Sequence, residues 1–245
     1  MRVLILGGTG EARELAARLR AAGADVLSSL AGRTGQPRLP DGEVHTGGFG
    51  GPGGLAAFLR HEAITHLIDA THPFAEVITA NAALAADDAG VPRLVLRQPA
   101  WQPDPAWDTV AGIREAAETV RAWPGQAVFL TTGRRELGAF AADGGHRFLV
   151  RTVDPPEGPV PPVMTLIRSR GPYTVAGESA LLRDHGIGLL VTKNSGGSMT
   201  AAKLQAARDL GVEVVMVRRP PLPPGSRVAT TIPEVLNWIS DGHWR

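Results

Sequence analysis

The chain contains no cysteine. This excludes disulfides, thiolate metal sites and cysteine nucleophiles, and leaves the redox compartment open. Aromatic residues make up only 5%, and there is a single tyrosine, Tyr173. Of the 25 basic Lys and Arg residues only two are lysine, Lys193 and Lys203. Abundant Ala, Gly and Arg suggest GC-rich codon usage, under which Lys drifts to Arg wherever either serves. Both surviving lysines fall in one segment, Thr192 to Lys203. No apolar run reaches the roughly 18 residues that a membrane-spanning helix needs. The run Val3-Leu4-Ile5-Leu6 is too short for the core of a signal peptide, so the cytoplasm is the expected location. A net charge of +1 argues against a nucleic-acid binder held by bulk charge. His-x-x-His and His-Glu-x-x-His spacings are absent, so no metal site is expected.

What is present is a repeating pattern. The length of 245 residues, 43% of them hydrophobic, suits two small domains. Strand-like runs (2–6, 24–30, 43–46, 65–69, 93–97) alternate with helical stretches (11–22, 55–61, 74–89). A Pro- and Trp-rich stretch, Gln98 to Trp107, then reads as a linker. Beyond it the pattern resumes, with strands at 109–110, 127–131, 146–152, 163–168, 188–192 and 212–217. Helices are expected at 113–122, 135–141, 174–184, 199–210 and 232–239. Such alternation predicts an α/β protein of two tandem, doubly wound domains with mainly parallel sheets, residues 1–100 and 101–245. In tandem units the last strands often cross back, which would move that boundary. Ligands of such sheets bind outside the carboxyl ends of the strands, and the motifs fall at those ends.

The first motif is Gly7-Gly8-Thr9-Gly10-Glu11, a strand running through glycines into a helix. Glycines let backbone amides approach a pyrophosphate, and the helix N-terminus adds partial positive charge. The match to G-x-G-x-x-G is imperfect, and a tight turn without a ligand is the alternative. At the end of the second strand stand Ser28, Ser29 and Arg33, with no acidic residue. An acid there holds a ribose 2′-hydroxyl; hydroxyls and an arginine favour a 2′-phosphate, hence NADPH over NADH. Asp69-Ala70-Thr71-His72-Pro73-Phe74-Ala75 ends another strand. There Thr71 is expected to cap the following helix, with Pro73 in its first turn. His72 is read either as an anion ligand, a proton carrier or a structural histidine.

In the second half, Thr132, Arg134 and Arg135 lie where a strand opens a helix. Two arginines at a helix start oppose the helix dipole unless an anion binds or they reach solvent. Thr192-Lys193-Asn194-Ser195-Gly196 offers amides, hydroxyls and an ammonium group to phosphate or carboxylate, or is a plain turn. Near Arg168 and Arg170, Tyr173 either donates a proton or hydrogen-bonds a ligand. Arg134, Arg135, Arg147, Arg151, Arg168 and Arg170 would suit a polycarboxylate, or are solvated surface charges of little worth.

Together these segments, with Leu130-Thr131-Thr132-Gly133 and Gly171-Pro172-Tyr173, resemble the precorrin-6A reductase family of corrin biosynthesis. The resemblance runs in family order to about residue 197. It implies two Rossmann-like domains with the active site between them, and NADPH-dependent reduction of a ring double bond of a tetrapyrrole to give precorrin-6B. It implies possible hand-over to neighbouring pathway enzymes, and it covers substrates with and without cobalt. Gly7, Gly8, Thr9, Gly10, Glu11, Ser28, Ser29, Arg33, Thr71 and Thr192 to Gly196 are expected to hold the cofactor. His72 and Tyr173 are expected to be the catalytic side chains. Thr132, Arg134, Arg135, Arg151, Arg170 and Lys203 are expected to meet the substrate. Two rival readings remain: an NADPH reductase of another small ligand, and a two-lobed nucleotide sensor without turnover.

Overall fold

The computed structural model describes residues 1–32 and 39–241. In chain order the elements begin β1 (Arg2–Leu6), α1 (Gly10–Ala21), β2 (Asp25–Leu30), β3 (Glu43–Thr46), α2 (Pro52–His61), β4 (His66–Asp69), α3 (Glu76–Ala89) and β5 (Arg93–Leu96). They continue with β6 (Asp108–Val110), α4 (Ile113–Ala122), β7 (Ala127–Leu130), a 3-10 helix (Arg134–Phe140), β8 (Arg147–Thr152) and β9 (Met164–Arg168). Then come α5 (Val175–Asp184), β10 (Leu189–Lys193), α6 (Ala202–Leu210), β11 (Glu213–Val217), β12 (Val228–Ala229) and α7 (Ile232–Ser240).

The chain forms two compact units, Met1–Pro99 with Pro220–Arg245, and Ala100–Arg219. The first unit carries a parallel six-stranded sheet in the order β12-β5-β4-β1-β2-β3. Its central strand β1 is apolar at every position from Val3 to Leu6 because helices cover both faces. Successive side chains alternate faces. Val3 and Ile5 pack with Leu15 and Leu19 of α1 and Val235 and Ile239 of α7, whereas Leu4 and Leu6 pack with Leu55 and Leu59 of α2 and Ala82 and Ala86 of α3. The second unit has a parallel six-stranded sheet in the order β6-β11-β10-β7-β8-β9. There Phe129, Leu149, Leu190 and Met216 pack with Leu182 of α5 and Leu204 and Ala207 of α6. Among the described residues no helix is long and apolar enough to cross a membrane.

Three expectations need correction. The second domain does not run to residue 245, because the segment from Pro220 returns to the first unit. There β12 pairs with the edge of β5, Val228 opposite Val95 and Ala229 opposite Leu96. Two strand residues carry no periodicity to read. The segment expected as a helix at 135–141 is a seven-residue 3-10 helix. Gly133 (φ +93) precedes it and Gly138 lies inside it, and short, glycine-bracketed turns suit the tighter helix. The helix expected from Phe74 starts instead at Glu76, with Ala75 at its cap and no side-chain cap bond. Thr71 does not cap it: the cap position is Ala75, four residues further on, and the Thr71 hydroxyl donates to Asp69 instead.

Candidate active site

In the first unit the strand order reverses between β1 and β4, so a crevice opens outside their carboxyl ends. Gly7 follows β1 and its N–H donates to the Ser29 carbonyl at 2.9 Å. Gly8 has φ +110, and no heavy atom lies within 4 Å of where a Cβ would stand. Glycine is therefore required by the backbone, and the space beside it is open. Thr9 caps α1: its Oγ1 accepts from the Ala12 N–H at 3.1 Å and donates to the Ala70 carbonyl at 2.9 Å. One hydroxyl thus ties the glycine turn to the end of β4. Gly10 begins α1, and the Glu11 carboxylate accepts from Gln98 at 2.8 Å. Ser28 and Ser29 lie buried in the last three residues of β2, which ends at Leu30. Arg33 lies outside the described residues.

At the end of β4, Asp69 is 2% exposed. Its Oδ1 accepts from the Thr71 N–H at 3.1 Å and from the Thr71 hydroxyl at 2.6 Å. Its Oδ2 is buried without a partner among the described residues. His72 is exposed, and its Nδ1 accepts from the Phe74 N–H at 3.3 Å. Arg97, just past β5, donates to the Pro73 carbonyl at 3.3 Å. Burial pushes the Arg97 pKa down, and the charge of Asp69 pushes it back up.

In the second unit the order reverses between β7 and β10. Thr132 follows β7, buried, with its Oγ1 unpartnered among the described residues. Thr192 is fully buried in β10, and Lys193 Nζ donates to Glu136 Oε1 at 2.5 Å. The Asn194 side chain is a clamp: Oδ1 accepts from the Trp101 N–H at 2.8 Å and Nδ2 donates to the Trp101 carbonyl at 2.9 Å. Arg219 ties down the carbonyls of Asn194 and Ser195 at 2.7 and 2.8 Å. Gly196 (φ +70) completes the turn.

Beside this turn lies a buried charged cluster. Arg151 and Glu178 form a two-pronged ion pair at 2.7 and 3.0 Å, their side chains 9% and 3% exposed. The Arg151 guanidinium lies 4.0 Å from the centre of the Tyr173 ring and 4.8 Å from that of Phe129. The Tyr173 hydroxyl is 3.2 Å from Ser169 Oγ. Lys203 is 5% exposed, and among the described residues no hydrogen bond or ion pair holds its ammonium group. Its Nζ sits 5.0 Å from the Trp101 ring centre. Burial pushes the Lys203 pKa down to about 7; Arg151 pushes the same way and Glu178 opposes it. Arg134 is held by Glu157 at 2.7 Å and by the Pro155 carbonyl, so a carboxylate answers its charge at the start of the 3-10 helix. Arg135 and Arg170 are exposed. Among the described residues no group of three or more His, Asp or Glu side chains converges as a metal site.

The model of the precorrin-6x reductase CbiJ/CobK family matches residues 2–240. The chain belongs to this family. It is 51% identical over 241 residues to the precorrin-6A reductase of Rhodococcus erythropolis, covering 97% of each chain. It is 48% identical over 240 residues to that of Mycobacterium tuberculosis H37Rv, covering 98% of this chain and 97% of the relative. A solved structure titled CobK precorrin-6A reductase superposes with a TM-score of 0.91 at 40% identity, covering 99% and 97% of the two chains. Membership of the precorrin-6x reductase family makes the chain an oxidoreductase that draws on a nucleotide cofactor.

The first unit fits such a cofactor. Gly8 leaves open backbone at the N-terminus of α1, and Asp69, next to the Ala70 carbonyl that Thr9 holds, has a buried oxygen without a donor among the described residues. Three residues in contact with these groups carry no signal in the sequence. Glu178 faces Arg151 from 27 residues away, with nothing local to signal it. Trp101, read only as linker, covers Lys203. Asp69 is buried at the end of β4, a property of the fold that its neighbours in sequence do not signal.

Proposed function

We propose that the chain is an NADPH-dependent precorrin-6A reductase that forms precorrin-6B. The observation that carries the mechanism is Lys203, a buried side chain 5.0 Å from the Trp101 ring whose ammonium has no hydrogen-bond partner among the described residues, and whose pKa burial lowers to about 7. The glycine turn Gly7 to Glu11 holds the pyrophosphate, with Thr71 beside it and Arg33 reading the 2′-phosphate. When bound, NADPH would supply the hydride for one carbon of the ring double bond, which leaves the neighbouring carbon to take a proton. Lys203 delivers that proton: an acid near neutral pKa is matched to proton transfer at pH 7. Its amine regains a proton from solvent for the next turnover. Arg151, paired with Glu178, lies under Tyr173 and favours the neutral amine once the proton has left.

His72 and Tyr173 serve as positioning groups in this reading. His72 is exposed with Nδ1 already accepting, and the Tyr173 hydroxyl is shared with Ser169. The exposed Arg135, Arg168 and Arg170 follow or end strands of the second sheet, where acetate and propionate groups of the macrocycle would be met. Arg134 and Arg151 already answer Glu157 and Glu178 and add less. Lys193 reaches a ligand anion by leaving Glu136. A cytoplasmic enzyme fits this chemistry.

The test is spectral. Precorrin-6A with NADPH and enzyme is expected to show loss of NADPH absorbance and a matching change in the macrocycle spectrum. Oxidation of NADPH by simple ketones with precorrin-6A untouched would sink the reading. The Arg33→Ala variant is expected to lose about tenfold to a hundredfold in NADPH affinity and little in NADH affinity, since a charge-assisted contact is worth roughly 1.5–3 kcal/mol.

A further inference from the structure

Asp69 closes β4, on the side of the switch point opposite the glycine turn. One of its oxygens is saturated by two donors from Thr71. The other is buried with no donor among the described residues, in a residue that is 2% exposed. A buried polar atom left unpaired costs roughly 1–3 kcal/mol, so a fold retains one where something else completes it. The Arg97 guanidinium is near enough to feel the charge of Asp69, yet it donates to the Pro73 carbonyl. Thr9 Oγ1 bonds Ala70, the residue after Asp69, so this acceptor stands one residue from the contact that ties the glycine turn to β4.

A carboxylate oxygen accepts hydrogen bonds and repels phosphate. The dinucleotide carries phosphates in its middle and at its adenosine end. Its remaining part, the nicotinamide riboside, carries neutral donors: ribose hydroxyls and a carboxamide. We propose that Asp69 accepts a hydrogen bond from this nicotinamide-riboside half and so orients the reactive half over the end of β4. This rests on the nucleotide reading above. It makes Asp69 a positioning residue of the cofactor site, and Thr71 the group that fixes its rotamer. The pyrophosphate then belongs to the β1–α1 turn, where amides and the helix N-terminus attract it.

The experiment is calorimetric titration of the full chain and Asp69→Asn with three ligands: NADPH, 2′-phospho-ADP-ribose and 2′,5′-ADP. The Asn variant keeps an oxygen for Thr71 and replaces the acceptor with a donor. Its affinity for NADPH is expected to fall about tenfold to a hundredfold, with 2′,5′-ADP affinity unchanged. Loss with 2′-phospho-ADP-ribose as well assigns the contact to a ribose hydroxyl; loss with NADPH alone assigns it to the carboxamide. Equal loss with all three ligands overturns the proposal, because Asp69 then acts through the glycine turn. No loss with any ligand overturns it too, and means that solvent completes Oδ2. If the wild-type chain binds none of the three, the nucleotide reading itself fails, which the first titration reveals before any variant is made. Should Asp69→Asn not fold, Asp69→Glu retains the charge but displaces it by one methylene, and the same split between ligands is expected.

Discussion

Lys203 is held in an environment that penalises its charged form, and two consequences can be measured. The residue is 5% exposed, and burial, with Arg151 acting the same way, lowers its pKa from 10.5 to about 7. The folded state therefore holds this proton less tightly than the unfolded chain. Below about pH 7 the penalty is present in full; as pH rises from about 7 towards 10.5 only the unfolded chain stays protonated, and the penalty is relieved. Lys203→Met is expected to be more stable than wild type at pH 6. The gap should narrow by roughly 1.4 kcal/mol per pH unit above neutrality, as chemical denaturation across pH would show. In turnover the sign is opposite. Wild-type kcat is expected to fall as pH rises through about 7, because the amine has no proton to give. Lys203→Met is expected to lose about a hundredfold or more in kcat, lack that limb of the profile, and keep its nucleotide affinity. Single-turnover rates with His72→Ala and Tyr173→Phe should retain the limb. If either of them abolishes it, the proton donor has been misassigned.

At the level of elements, strand ends and a helix start carry several of these groups. Gly7 follows β1, Asp69 ends β4, Thr132 lies just past β7, Lys193 ends β10, and α6 carries Lys203 one residue inside its start. The returning segment matters equally. α7 is capped by Thr231, whose side chain accepts from the Glu234 N–H, and it buries Ile232, Val235 and Ile239. These residues complete the cluster that also holds Val3, Ile5 and Leu15. Ile239→Ala is therefore expected to destabilise the first unit by about 2–5 kcal/mol, read as a lower denaturation midpoint. An Ile239→Ala chain as stable as wild type would mean that α7 does not support the sheet beneath the glycine turn. The strands of the first unit were legible because buried parallel strands read as continuous Val, Ile and Leu runs, and α1 because Leu15 and Leu19 recur four apart. β12 was not, because an edge strand of two residues has too little sequence to show a period.

For the whole molecule, the connectivity sets what can fold alone. The second unit is one continuous stretch, Ala100–Arg219, whereas the first is assembled from both ends of the chain. A fragment of residues 100–219 is expected to unfold cooperatively by circular dichroism. A fragment of residues 1–99 is expected to be much less stable until the 220–245 segment is restored, since it lacks α7 and the β5 partner strand. A cooperative, wild-type-like transition for 1–99 alone would contradict this. The sequence by itself determined the α/β class, the parallel sheets, the glycine turn, the acid-free second strand end and the family, because these reside in local runs and short spacings. Only the tertiary structure decided that the last segment rejoins the first sheet, that Asn194 and Arg151 are committed to Trp101 and Glu178, and that Lys203 is buried without a hydrogen-bond partner among the described residues. Those facts depend on which distant residues meet and on how much water is excluded where they do. Neither is written in the neighbours of a residue along the chain.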